Sequence, residues 1–285
     1  MSYYRSSGRQ NINWRYLLRS YLDPQTPRGR LVIFVLILLV IYLGLQLRDV
    51  TSTNVLNFFA TVFGRILGLL MGFALHEWAH ANAAYQLGGW RALIDPKRLT
   101  LDPRAHLDPL GTLMALLAGF GWAKPVGVNP NAFYPKERQN MMLVAFAGPA
   151  MNLILAFAFA IILRILVAVD ALPFLVNDPP VVLARNDLWY FLGKVLATIV
   201  GFNILLFFFN MIPLYPLDGW RILPYLLPEQ WAEAVLQRER ESTYLLYFLI
   251  LFGLVSPELS IIGRVLGPLV DAVFRLMTGF EILLR

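Results

Sequence analysis

The chain of 285 residues contains no cysteine. That excludes disulfides and thiolate metal sites, and it leaves the redox compartment unread. Charge is scarce: Lys, Arg, Asp and Glu make up 15% of the residues, against about 25% in an ordinary soluble domain. Histidine is scarcer, with three in the whole sequence. Low-complexity linkers are missing, as are internal repeats of about 20 to 50 residues, which speaks against repeat architectures and against a large appended module.

What fills the space is apolar: 58% of the residues are hydrophobic. No charge interrupts 31–47, 139–163 or 195–217, and each run approaches or passes the ~20 residues that cross a bilayer as a helix. A soluble protein would need far more polar chain to cover several such runs. The expected fold class is therefore an all-α polytopic membrane protein with about five to six transmembrane helices. The first run begins only at Leu31 with no small-residue cleavage site after it, so it reads as a retained helix.

The net charge of +6 does not call for nucleic acid, because the basic residues flank the apolar runs, where they orient the chain and meet lipid headgroups. Residues 1–30 carry Arg5, Arg9, Arg15, Arg19, Arg28 and Arg30 against Asp23 and form a basic N-terminal segment expected in the cytoplasm. The connection 88–140 is also basic, with Arg91, Lys97, Arg98, Arg104, Lys124, Lys136 and Arg138. The stretch 170–187 holds Asp170, Asp178 and Asp187 against Arg185, which suits the outer side. Residues 31–285 then form a single membrane-embedded domain in the cell membrane, with a motif-bearing core over about 54–225. Beyond 242, the expectation is either one more span plus an interfacial helix or a helical pair.

Two of the three histidines fall in His76-Glu77-Trp78-Ala79-His80. Four residues apart on a helix, His76 and His80 present two imidazoles to one ion. Adding a carboxylate leaves zinc an open position for water, as in hydrolytic sites. Glu77 stands beside the ligands, where it can accept that water's proton. Polar residues within an apolar helix are costly, which makes the cluster a functional candidate in its own right. For the third ligand, Asp218 closes the segment Asn210-Met-Ile-Pro-Leu-Tyr-Pro-Leu-Asp218-Gly219. Its prolines should interrupt the helix and permit irregular backbone where it lines a polar cavity. The alternation of charge brings Asp218 to the membrane depth of His76 and His80; the plainer reading is a helix cap at the water boundary.

These two segments resemble the signatures of the site-2 protease family of intramembrane zinc metalloproteases. Gly148-Pro-Ala-Met-Asn152 is similar to a Gly-Pro-x-x-Asn element of that family. The stretch from Asp102 through Pro130 resembles its compact prokaryotic members without appended regulatory domains. The similarity covers about residues 60–225. It implies one Zn2+ ion held by His76, His80 and Asp218, Glu77 as catalytic acid/base, and membrane-anchored proteins as substrates within the lipid bilayer. Regulation would then come from a partner or from the lipid.

Further candidates remain two-sided. Asn152 and Asn210 suit oxyanion or substrate contacts, or interhelical hydrogen bonds. His106, in the basic connection, approaches the site or substrate, or serves structure. Residues 119–128 lack a helical period and suit either an irregular or β-containing membrane-surface segment that offers an edge to substrate, or an interfacial loop. Two other function classes compete: a metal-handling transporter, which expects ligands spaced along a path and inverted repeats, and a non-catalytic scaffold that binds membrane helices.

Overall fold

Where no water reaches the backbone, its N–H and C=O groups must pair within the segment, and the apolar runs become helices for that reason. The computed structural model describes residues 23, 25–26, 52–108, 111–112, 123–169, 187–255 and 260–279. Three long helices carry the molecule: α1 (Ser52–Gly88), α2 (Glu137–Ala168) and α3 (Asp187–Asn210). Among the described residues these are the three long and apolar enough to cross a membrane. The expected first span, 31–49, lies outside the described residues, so the count of five to six is supported only as far as these three.

The helices pack mutually, and close approach is built into the sequence. A Cβ on Gly64 of α1 would lie 2.7 Å from Thr198 Cβ of α3, and one on Gly72 would lie 2.8 Å from Leu206 Cδ1. Small residues at such positions let helix backbones come together where lipid gives no hydrophobic drive to associate. Outward-facing Ile154, Phe157, Ile161 and Ile165 of α2 are exposed, as expected of a surface whose solvent is hydrocarbon.

Beyond α3 the chain turns through 211–217, at Pro213 and Pro216, into α4 (Asp218–Leu226), α5 (Glu229–Leu236), α6 (Glu239–Val255) and α7 (Ile261–Thr278). The helix through the uncharged run 195–217 thus ends at Asn210. Proline supplies no N–H and its ring crowds the preceding turn, so the helix stops where the prolines begin. Helix α7 buries Leu266, Val270, Phe274 and Thr278, every fourth residue and hence one face. Val270 and Phe274 close a core with Ala156, Ala160, Val200 and Ile204 of α2 and α3. The described part of the chain beyond 242 thus holds two helices, α6 and α7, which both expected arrangements contain.

Between α1 and α2 the chain makes short helical turns at Gly89–Ala92, Pro96–Arg98, Pro103–His106 and Pro130–Phe133. Ala92, Leu93, Val126 and Phe133 pack with Ala81 and Ala84 of α1 and Val144 of α2. This seats the surface segment on the helix ends nearest the histidines. Among the described residues its β character is limited to two isolated antiparallel bridges, Leu93 with Val128 and Leu107 with Ala123.

Candidate metal centre

Helix α1 delivers His76 and His80 on one face, both buried, with ring centroids 4.6 Å apart and planes at 86°. Their Nδ1 atoms face acceptors on α2: His76 meets Asn152 Oδ1 at 2.6 Å and His80 meets the Val144 carbonyl at 2.6 Å. Those oxygens can only accept, so each imidazole carries a proton on Nδ1, and in the neutral ring Nε2 is left with the lone pair.

The two Nε2 atoms lie 3.0 Å apart, and Asp218 Oδ2 sits 3.1 Å from that of His76 and 3.3 Å from that of His80. With both rings neutral, three buried acceptors converge with no donor between them, and Asp218 Oδ2 has no hydrogen-bond partner. An acceptor left so costs roughly 1–3 kcal/mol. A cation between the three removes that cost. Tetrahedral zinc with bonds of about 2.0–2.1 Å would separate its ligand atoms by about 3.3 Å, close to the spacing seen. Among the described residues this is the one group of three or more such side chains placed to hold a metal ion.

Two glycines keep the centre open. A Cβ on Gly148 of α2 would fall 2.3 Å from His80 Nε2 and 2.7 Å from His76 Nε2, inside the space the ion needs. Pro149 follows within the same helix; it leaves the carbonyl one turn back without its donor and loosens the helix beside Val144. On the other wall, Asp218 is the first residue of α4. A Cβ on Gly219 would lie 2.4 Å from the Met211 carbonyl oxygen and 2.5 Å from that of Ile212, so the break folds tightly over this residue. Arg138 of α2 ties α4 down by donating to the Pro224 carbonyl at 2.7 Å, and Ser242 Oγ accepts the Tyr215 N–H at 2.8 Å.

Glu77 is buried next to the cluster, and its Oε2 accepts the Val126 N–H at 3.0 Å. The Ile94 N–H donates to the Gly127 carbonyl and the Asn129 N–H to that of Ala92. In extended chain, alternate residues bond to opposite sides, so the Val126 and Val128 edge points away from 92–94, toward Glu77. Residues 119–122 of the expected surface segment lie outside the described residues; 123–128 are the part that reaches the centre.

A family model for peptidase family M50 matches residues 64–255. The chain belongs to the M50 peptidase family. Relatives agree with this. YwhC of Bacillus subtilis, named as a candidate zinc metalloprotease, is 38% identical over 73% of this chain and 85% of its own length. The similarly named MJ0611 of Methanocaldococcus jannaschii is 31% identical over 62% of this chain and 77% of its own length. Rip2 of Mycobacterium tuberculosis is 29% identical over 71% of each. No solved structure matches the chain at a significant level. This M50 peptidase is a membrane zinc metalloprotease whose motif region and metal-competent cluster coincide.

The remaining expected residues of the peptidase are placed as follows. Asn152 is fully buried, and its Nδ2 donates to the Gly72 carbonyl at 3.1 Å and to Asn203 Oδ1 at 3.1 Å. With Oδ1 on His76, both of its amide hydrogens are engaged by α1 and α3. Asn210, the last residue of α3, donates to the Leu206 carbonyl of its own helix at 3.0 Å. His106 is fully buried and is not part of the metal-competent group; its Nε2 meets the Thr100 carbonyl at 2.8 Å and its carbonyl accepts the Lys124 N–H. Sequence reasoning missed Asn203, Gly148 as a spacer, Arg138 and the Val144 carbonyl. Asn203 carried a signal as an amide inside an uncharged run, and Gly148 one as part of the Gly-Pro-x-x-Asn element.

Proposed function

We propose that this peptidase hydrolyses peptide bonds of membrane-anchored proteins near the cytoplasmic leaflet, with His76, His80 and Asp218 as zinc ligands and Glu77 as general base and acid. The convergence of two Nε2 lone pairs and one carboxylate oxygen within 3.3 Å carries the reading. Zinc, when bound, supplies the Lewis acidity that activates water and polarises the scissile carbonyl. Glu77 accepts the proton from the attacking water and returns it to the leaving amine. Its carboxylate is held in place for this by the Val126 N–H.

A helical substrate hides its carbonyls in its own hydrogen bonds, so cleavage needs an extended chain. The Val126 and Val128 edge offers such a chain a strand to pair with beside Glu77. The basic flanks at 1–30 and 88–140 support a cytoplasmic N-terminus and a site at the inner leaflet. Lipid and a protein substrate are then the partners this reading requires, and any regulation comes from a further partner or from the lipid.

The test is zinc content and cleavage of a membrane-anchored substrate by wild type and Glu77→Gln. Zinc in both with cleavage only in wild type is expected. Equal cleavage by Glu77→Gln would remove Glu77 from the mechanism.

A further inference from the structure

Asn203 lies in the middle of α3, fully buried, in a stretch with no charge from 195 to 217. Its hydrogen bonds go to Asn152 and Ile199, not to the zinc ligands or Glu77. Its hydrogen bonds, however, have only one consistent direction. Asn203 Nδ2 donates to the Ile199 carbonyl of its own helix at 3.0 Å, which leaves Oδ1 as the group facing α2. That oxygen accepts from Asn152 Nδ2 at 3.1 Å, and the second hydrogen of the same amide goes to the Gly72 carbonyl at 3.1 Å. Asn152 Oδ1 is thereby turned onto His76 Nδ1.

Both ends of the chain of bonds rest on backbone carbonyls, which can only accept. Reversing the Asn152 amide would set its oxygen against two acceptors and its hydrogens against the His76 ring. His76 would then have to accept at Nδ1 and carry its proton on Nε2, the atom aimed at the metal. The packing makes room for this pair of amides: a Cβ on Gly72 would come 3.0 Å from Asn203 Oδ1 and 3.5 Å from Asn152 Nδ2.

We infer that Asn203 is a positioning residue for the metal centre, which, through Asn152, fixes the His76 tautomer and keeps Nε2 open to zinc. This rests on His76 being a zinc ligand. Partners of metal-bound histidines are worth about 10–100-fold in metal affinity. Asn203 shares its task with the Gly72 carbonyl, so its loss belongs at the lower end, about 10-fold.

The experiment compares full-length wild type, His76→Ala, Asn203→Leu and Asn203→Asp in detergent by chelator competition for zinc. Nitrogen-15 spectra of the zinc-loaded proteins with labelled histidine accompany it, and three histidines make for a spectrum simple to assign. Asn203→Leu should bind zinc about 10-fold more weakly and shift the His76 Nδ1–H resonance while those of His80 and His106 stay. Asn203→Asp, whose neutral acid keeps an acceptor toward Asn152 and a donor toward Ile199, should recover affinity to within about threefold and still move that resonance. Wild-type affinity in Asn203→Leu, or an unmoved His76 resonance in either variant, would overturn the role of Asn203. If Asn203→Leu does not fold, the resonance in Asn203→Asp decides alone. Wild-type zinc affinity in His76→Ala would instead overturn the ligand assignment on which the inference stands.

Discussion

Replacing Gly148 by alanine adds one methyl group at the place where the metal is expected. The added Cβ falls 2.3 Å from His80 Nε2 and 2.7 Å from His76 Nε2, whereas ordinary van der Waals contact begins at 3.4 Å. His80 Nε2 must therefore retreat by roughly 1 Å, while metal–ligand distances tolerate about 0.2 Å. The ring cannot simply swing away, because its Nδ1 is held on the Val144 carbonyl at 2.6 Å. Overpacking of this kind costs about 1–3 kcal/mol when the surroundings yield. Here yielding means losing the bond to Val144 or the geometry at zinc. The expected result is a folded protein whose zinc affinity falls by about 100-fold or more, with cleavage lost in proportion. Gly267→Ala is the control, since a Cβ there meets nothing within 4 Å. Zinc affinity and cleavage are measured on both variants purified in parallel. Gly148→Ala with wild-type zinc affinity would refute the placement of the ion between the two Nε2 atoms.

Three further outcomes follow from the same geometry. Asp218→Ala leaves two neutral imidazoles without the carboxylate and should weaken zinc by about 10-fold or more; equilibrium dialysis against a zinc buffer measures it. Val126→Pro deletes the N–H that holds Glu77 and should lower kcat by about 10-fold with zinc content unchanged; an unaltered kcat would detach the surface segment from the chemistry. Gly219→Ala would force a Cβ to within 2.4 Å of the Met211 carbonyl oxygen. It should lower thermal stability and zinc retention together, as read by a melting curve with and without a chelator.

How much of this was legible beforehand depends on whether a residue's partner is near in sequence. His76, Glu77 and His80 could be placed because helical spacing alone puts the imidazoles on one face. Asp218 was reachable because the prolines predicted a break and the charge pattern predicted its depth. Asn203 was not, since its meaning comes from Asn152 on another helix, and no spacing relates the two. Gly148 sat inside a recognised motif, yet its reason appears only when the histidines are packed against it. The surface segment was expected to be irregular or β-containing, or else an interfacial loop; its described part pairs over two isolated bridges.

The central claim is that two imidazoles and one carboxylate hold the zinc of this M50 peptidase. X-ray absorption at the zinc edge of the purified protein tests it most directly. The expected spectrum is that of a four-coordinate ion with two imidazole nitrogens at about 2.0–2.1 Å and oxygen in the remaining positions at about 2.0–2.2 Å, losing one oxygen of protein origin in Asp218→Ala. A shell with one imidazole or none, or the same shell in His80→Ala as in wild type, would contradict it.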